Sequence, residues 1–186
     1  MATRLLSATV LIALLTTAAV AQDRADARLA TDVGRAIGTH TQLTIFDDVG
    51  GRVEDGIVTL TGSVTAEYKK TEIGRLLARL DGVRDVRNQI AVLPASPFDD
   101  ELRYRAARAI YSNPAFWSYA SMPRPPIHII VEHGRVTLRG VVASDVERAL
   151  ARSLATGIGE VSVTSELRTD RGASGRVSGA SYVRRP

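Results

Sequence analysis

Apolar and polar residues alternate twice in this chain with period two. Val58, Leu60 and Val64 alternate with Thr59, Thr61 and Ser63, and Val136, Leu138 and Val142 alternate with Thr137 and Arg139, Val141 being the exception. This spacing predicts strands with one buried and one wet face. The stretches VGGRVE at 49–54 and IHIIVE at 127–132 supply partner strands. They join through Asp55-Gly56, a favoured hairpin turn because glycine accepts positive φ, and through the weaker His133-Gly134. Helical spacing comes before each hairpin, in Leu29, Val33, Ala36 and Ile37 and in Leu102, Ala106, Ala109 and Ile110. It returns after each, in Ile73, Leu76, Leu77 and Leu80 and in Val146, Leu150 and Leu154. Asp99 or Asp100 is placed to cap the second of the leading helices. Ser144-x-x-Glu147 forms a capping box, and Gly82 and Gly157 stand near the helix ends. Third strands follow through Val86, Ile90 and Val92 and through Val161, Val163 and Leu167.

The same unit is therefore written twice, and DGIVTLTGSV at 55–64 matches HGRVTLRGVV at 133–142 at six of ten positions. Each unit reads α-β-β-α-β. The hairpin makes the first two strands antiparallel, and a right-handed helical crossover makes the third parallel to the second. The expectation is an α+β chain of two tandem units, each a small three-stranded mixed sheet with two helices on one face. The units span 24–94 and 99–169, joined by a stiff proline-bearing linker at 95–98. The chain has no cysteine, so neither disulfides nor thiolate metal sites can support units this small.

Residues 1–21 lie outside this pattern. Arg4, the apolar run LLSATVLIALLTTAAV and Ala19-Val20-Ala21 before Gln22 have the order of a cleaved secretory signal peptide, and no cysteine follows to take a lipid. Export to the periplasm, without a lipoprotein anchor, is the expectation. The net charge of +4 belongs to the other end. Removing Arg4 and the tail arginines 171, 176, 184 and 185 from 24 leaves 19 basic residues, and removing Asp170 from 20 leaves 19 acidic ones. The folded part is neutral. The Gly/Ser/Arg stretch 170–186 is too poor in apolar residues to order itself and reads as a disordered basic tail.

Gly-x-Val-Thr-Leu-x-Gly-x-Val, a helix, and then GVRDVRNQIAV at 82–92 resemble the BON domain, named for bacterial osmotically induced and nodulation proteins. Two copies behind a signal peptide resemble the osmotically inducible dual-BON periplasmic proteins of Gram-negative bacteria. Copy two departs from the pattern, with Val163 at the Asn88 position, Ser165 at the Ile90 position, and an insertion before its first strand. The resemblance implies phospholipid binding in the cell envelope, under osmotic or envelope stress.

Catalytic signatures are missing from the sequence: there is no nucleophile elbow and no phosphate loop. His128 and His133 are expected on opposite faces of a strand and its turn, as turn and surface residues, and Asp47-Asp48 lacks the alternating ligands of a calcium loop. A non-enzymatic protein without metal or cofactor is expected. The folded part is neutral and carries no nucleic-acid motif, so nucleic acid is not an expected partner. What remains is YSNPAFWSYASMPRPP at 111–126 and the helix before it, since five of nine aromatics fall between 104 and 119. Arg105, Arg108, Phe116, Trp117, Tyr119 and Arg124 form the candidate contact face for an anionic phospholipid surface or for envelope proteins. Folding of the aromatics into a satellite core is the alternative for the segment. A periplasmic chaperone or adaptor binding protein clients is the alternative function.

Overall fold

The structure, a computed structural model, describes residues 22–159 and 161–169. The expected signal peptide and basic tail lie outside the described residues. Copy one opens with helix α1 over 22–39, followed by the antiparallel hairpin β1 (Asp48–Glu54) and β2 (Ile57–Val64). Helix α2 (Glu67–Leu77) then crosses back to β3 (Asp85–Asn88) and β4 (Ala91–Val92), both parallel to β2. Copy two repeats the order with α3 (Pro97–Tyr111), β5 (Ile127–Glu132), β6 (Arg135–Val142), α5 (Asp145–Thr156) and β7 (Ser162–Thr169), in sheet order β5-β6-β7. Its insertion forms a single 3-10 turn at Pro114–Phe116 and the short helix α4 (Trp117–Ala120).

The architecture is α+β with two tandem mixed sheets, as the patterning indicates. In each copy, alternate strand residues and the helical stripes close one core. Val33, Val58, Leu60, Ile73 and Leu77 form the first, and Leu102, Ala106, Ile110, Ile129, Leu138 and Ala151 the second. Several local details differ from expectation. The third strand of copy one is split, because the Asn88 side chain turns inward, donating to Lys70 O at 2.8 Å and accepting from Ile90 N at 3.3 Å. Ladder register also moves the comparison of the third strands by two residues. Leu60 pairs with Asn88 as Leu138 pairs with Ser165, which puts Ser165 at the Asn88 position and Leu167 at the Ile90 position. Ile90 and Leu167 are both buried, so copy two keeps the apolar residue it was read as lacking.

Pro97 begins α3 instead of ending a linker, and Ser96 is its N-cap, accepting from Asp99 N at 3.2 Å; neither Asp99 nor Asp100 fills that role. In α5 the buried stripe is Ala151 and Ala155, flanked by half-buried Leu150 and Leu154, while Val146 is 76% exposed. One of the two glycines ends its helix. Ala78 caps α2, with Gly82 beyond it, and Gly157 caps α5 with an ordinary helical φ of −69°. Gly62 and Gly140, by contrast, are required. Their φ values are 115° and 122°, and a Cβ would overlap the Asp48 and Pro126 carbonyls of the neighbouring strand.

The two copies meet along residues 40–48. Ile129 N on the outer edge of β5 donates to Ile45 O at 2.7 Å, and Ile45 and Phe46 pack on the core of copy two. Phe46 meets Tyr104 edge-on with ring centroids 5.4 Å apart. Arg124 donates to Ile37 O at 3.3 Å and His40 O at 3.0 Å, a cation on the carbonyl end of α1. Arg139 reaches Asp48 at 3.5 Å.

Candidate functional site

The six residues expected to share one contact face do not do so. Phe116 is fully buried in the core of copy two, 5.9 Å from the Tyr119 ring. Tyr119 is half-buried, and its hydroxyl donates to Glu147 Oε2 at 2.7 Å and accepts from Ala143 N at 3.0 Å. Arg105 donates to Ile158 O, tying α3 to the end of α5. Arg124 is at the seam between the copies. Arg105 and Arg124 are exposed but engaged by backbone carbonyls, while Arg108 and Trp117 face outward, Trp117 at 62% exposure with its indole N–H 3.3 Å from Ser112 O. Segment 111–126 therefore divides, one aromatic building the core and the next facing water.

Two aromatic residues outside the expected set are also exposed on α3. Phe98 and Tyr104 are each 63% exposed. At 100° per residue Tyr104 falls, with Glu101 and Arg108, on the side of α3 opposite Leu102, Ala106 and Ile110, whereas Phe98 is one turn before Leu102, at the border of the buried stripe, and Arg105 is on the flank. Tyr104 and Arg108 are four apart and thus neighbours. The pattern of α3 contained this signal, since a helix with a buried apolar stripe has no packing use for a tyrosine at Tyr104, on its other side. Met122 is exposed as well, so most of the exposed large apolar side chains among the described residues, Phe98, Tyr104, Trp117, Met122 and Val146, belong to copy two.

Polar groups elsewhere hold the framework. Asp99, 1% exposed, accepts from the turn amides His133 N at 2.9 Å and Gly134 N at 2.7 Å. Asp26 does the same for Asp55 N at 2.7 Å and Gly56 N at 3.0 Å. Each copy thus clasps its hairpin turn with the leading helix. Both first turn residues have positive φ, 50° at Asp55 and 52° at His133, and this conformation presents two consecutive amides to one carboxylate.

In copy one, Asp47 is buried. It accepts from Thr44 N at 2.8 Å, Thr44 Oγ1 at 2.9 Å, Thr65 N at 2.8 Å, Thr65 Oγ1 at 2.9 Å and Lys69 Nζ at 2.7 Å. Burial pushes the Asp47 carboxyl upward, but the Lys69 hydrogen bond, the Thr44 and Thr65 amides and the Lys69 charge together hold it below the ordinary 3.8. Lys69 and Glu147 occupy the same place in α2 and α5. In copy two the amide after the hairpin is met by Tyr119 and Glu147 instead, Ala143 N donating to Glu147 Oε2 at 2.9 Å.

A cavity of about 280 Å³ lies at the seam. Ile37, Leu43, Ile45 and Val49 of copy one face Pro123 and Pro125 of copy two, and Thr44, Asp47, Arg124 and His128 add polar groups. His128 is not a surface residue. Burial lowers its pKa from the ordinary 6.5, and Arg124 adds to this; Asp48, a hydrogen bond to the Asp47 backbone and the Asp47 charge oppose it. His40 is also largely enclosed, 3.8 Å from Glu72, whereas His133 faces solvent as expected. Among the described residues no group of three or more His, Cys, Asp or Glu is arranged to hold a metal ion, and no helix is long and apolar enough to cross a membrane. A more open groove of about 460 Å³ runs between α2 and β3, with Arg75 and Arg84 on its walls.

No curated protein matches the chain. Among solved structures, it is similar to CdsD, a structural protein of the type III secretion system of Chlamydia trachomatis. Identity is 14%, over 80% of this chain and 98% of that one, with a TM-score of 0.27. A structure of the CdsD C-terminal domain has 16% identity over 76% of this chain and 64% of that one, with a TM-score of 0.28. The family model described as BON domain matches residues 25–94 and 117–171, the second match beginning after α3. Those two segments contain both hairpins, both crossover helices and the parallel third strands, and the chain belongs to the BON domain family.

Proposed function

We propose that the protein is a non-enzymatic, exported envelope protein that binds anionic phospholipid surfaces through the outer face of copy two. The observation that carries this reading is the set of exposed aromatic and basic side chains there: Tyr104 and Arg108 on α3, and Trp117 on α4. Aromatic rings with polar tips suit the interface between headgroup and acyl chain, and arginine suits phosphate. The four tail arginines would each add about 1 kcal/mol near an anionic surface. Export follows the signal-peptide pattern of residues 1–21.

Co-sedimentation of the chain from Gln22 onward with neutral and anionic vesicles tests the reading. Salt-sensitive binding to anionic vesicles, reduced several-fold in Trp117→Ala and Arg108→Gln, is the expected outcome. Equal binding to neutral vesicles, or none, would overturn it.

One observation favours a second reading, a chaperone or adaptor for protein clients. β7 is eight residues long and terminal in its sheet, so its outer edge can accept an extended segment. Client capture through β7 would persist at high salt, whereas phospholipid binding through arginine would weaken.

A further inference from the structure

We infer that the seam cavity is a binding site for a compact amphiphilic monocarboxylate, its apolar body enclosed between the two copies and its carboxylate held by Arg124. Volume sets the size. At roughly 30 Å³ per water-sized group, about 280 Å³ accommodates roughly nine non-hydrogen atoms, below the usual span of drug-sized pockets. The walls set the body. Ile37, Leu43, Ile45 and Val49 face Pro123 and Pro125, with Thr44, Asp47, Arg124 and His128 as the polar part of the lining, so an alkyl chain or one aromatic ring fits against the apolar part.

Charge sets the head group. The seam carboxylates are already matched, Asp47 by Lys69 at 2.7 Å and Asp48 by Arg139 at 3.5 Å. Arg124 has no carboxylate within ion-pairing distance among the described residues. Its two hydrogen bonds go to the carbonyls of Ile37 and His40, which leave its charge intact and most of its five N–H donors available. Arg124 is also exposed, and so stands at the opening of the cavity where a carboxylate can remain partly hydrated. The site is composite, because copy one supplies most of the apolar wall and copy two the cation. It is distinct from the outer face of α3 and independent of the vesicle reading.

Titration of the chain from Gln22 onward with octanoate, 1-octanol and octylamine, followed by amide NMR shifts, tests the inference. Octanoate should bind saturably, with shifts at Ile37, Ile45, Val49 and His128, and about tenfold more tightly than octanol; octylamine should bind least. Arg124→Gln should bring octanoate down to the octanol level without changing octanol, and Arg124→Lys should restore part of the difference. Leu43→Trp, in a half-buried loop position, should fill the cavity and abolish both. If a variant loosens the seam, the three-ligand order in the unaltered chain remains decisive. Octanol binding as tightly as octanoate, shifts confined to α3, or no saturation by about 10 mM would each overturn the inference. Unchanged octanoate binding in Trp117→Ala separates this site from the vesicle-binding surface.

Discussion

Replacing Lys69 by methionine removes one hydrogen-bonding cation and leaves the length of the side chain almost unchanged. Lys69 is buried, Asp47 more completely so, and their 2.7 Å contact lies among four further donors from Thr44 and Thr65. Those four keep Asp47 hydrogen-bonded in the variant, so the loss is mainly of the compensating charge. Breaking a buried pair on one side costs about 3–5 kcal/mol, against a total stability of ~5–15 kcal/mol for a domain. With a urea slope of about 1.5–2 kcal/mol per molar, the midpoint of copy one should fall by roughly 1.5–3 M. The double variant Asp47→Asn, Lys69→Met should recover a large part of that, since an amide retains hydrogen-bonding capacity and needs no counterion. Urea unfolding at two salt concentrations is the assay, and the Lys69→Met loss should change little with salt because the pair is shielded from it. A loss below about 1 kcal/mol, the range of exposed pairs, would refute the reasoning.

Acid should act in two stages. His128 has a lowered folded pKa, so the unfolded chain takes up its proton first, and stability falls as pH drops below 6.5 toward the folded value. Unfolding curves between pH 8 and pH 5 should show that slope, and His128→Gln should flatten it. Asp47 also has a lowered folded pKa, so its contribution persists above 3.8 and is lost below it as the pH passes through the folded value. Phe116→Ala should cost about 3–5 kcal/mol, whereas Trp117→Ala should change stability by under about 1 kcal/mol while weakening vesicle binding; equal stability losses would contradict the division of the segment. Gly140→Ala should strongly destabilise copy two in thermal melts, because the backbone φ of 122° and the Pro126 carbonyl leave no room for a Cβ. Asp99→Ala removes two hydrogen bonds to a partly exposed turn and should cost about 0.5–1.5 kcal/mol for each, read in thermal melts.

The elements and their duplication were legible because strand and helix periods are local properties of the chain. Val58, Leu60 and Val64 announce one face whatever lies beyond. The register of the third strands is set by the ladder, where Leu138 pairs with Ser165 as Leu60 pairs with Asn88, and the motif letters around Asn88 do not carry it. Asp99 was read as a cap because a carboxylate at a helix start has that local use. Its partners are His133 and Gly134, 34 and 35 residues on, and only the fold brings them together. Distance along the chain explains the candidate face too. Phe116 and Trp117 look alike in sequence, and which of them points inward depends on how the 3-10 turn hands over to α4. Nothing local reveals that copy one encloses His128 or that the exposed Arg124 reaches the carbonyl end of α1.

That cover has an order in time. The segment bearing Ile45 and Phe46 belongs to copy one but closes the β5 edge of copy two. A chain emerging from its N-terminus presents this segment, already anchored by α1 and the first hairpin, before β5 exists. The vulnerable strand edge is therefore guarded from the moment it forms. Swapping the two copies would present the edge before its guard, and the duplicated halves are for this reason not interchangeable in sequence order even though they share one fold.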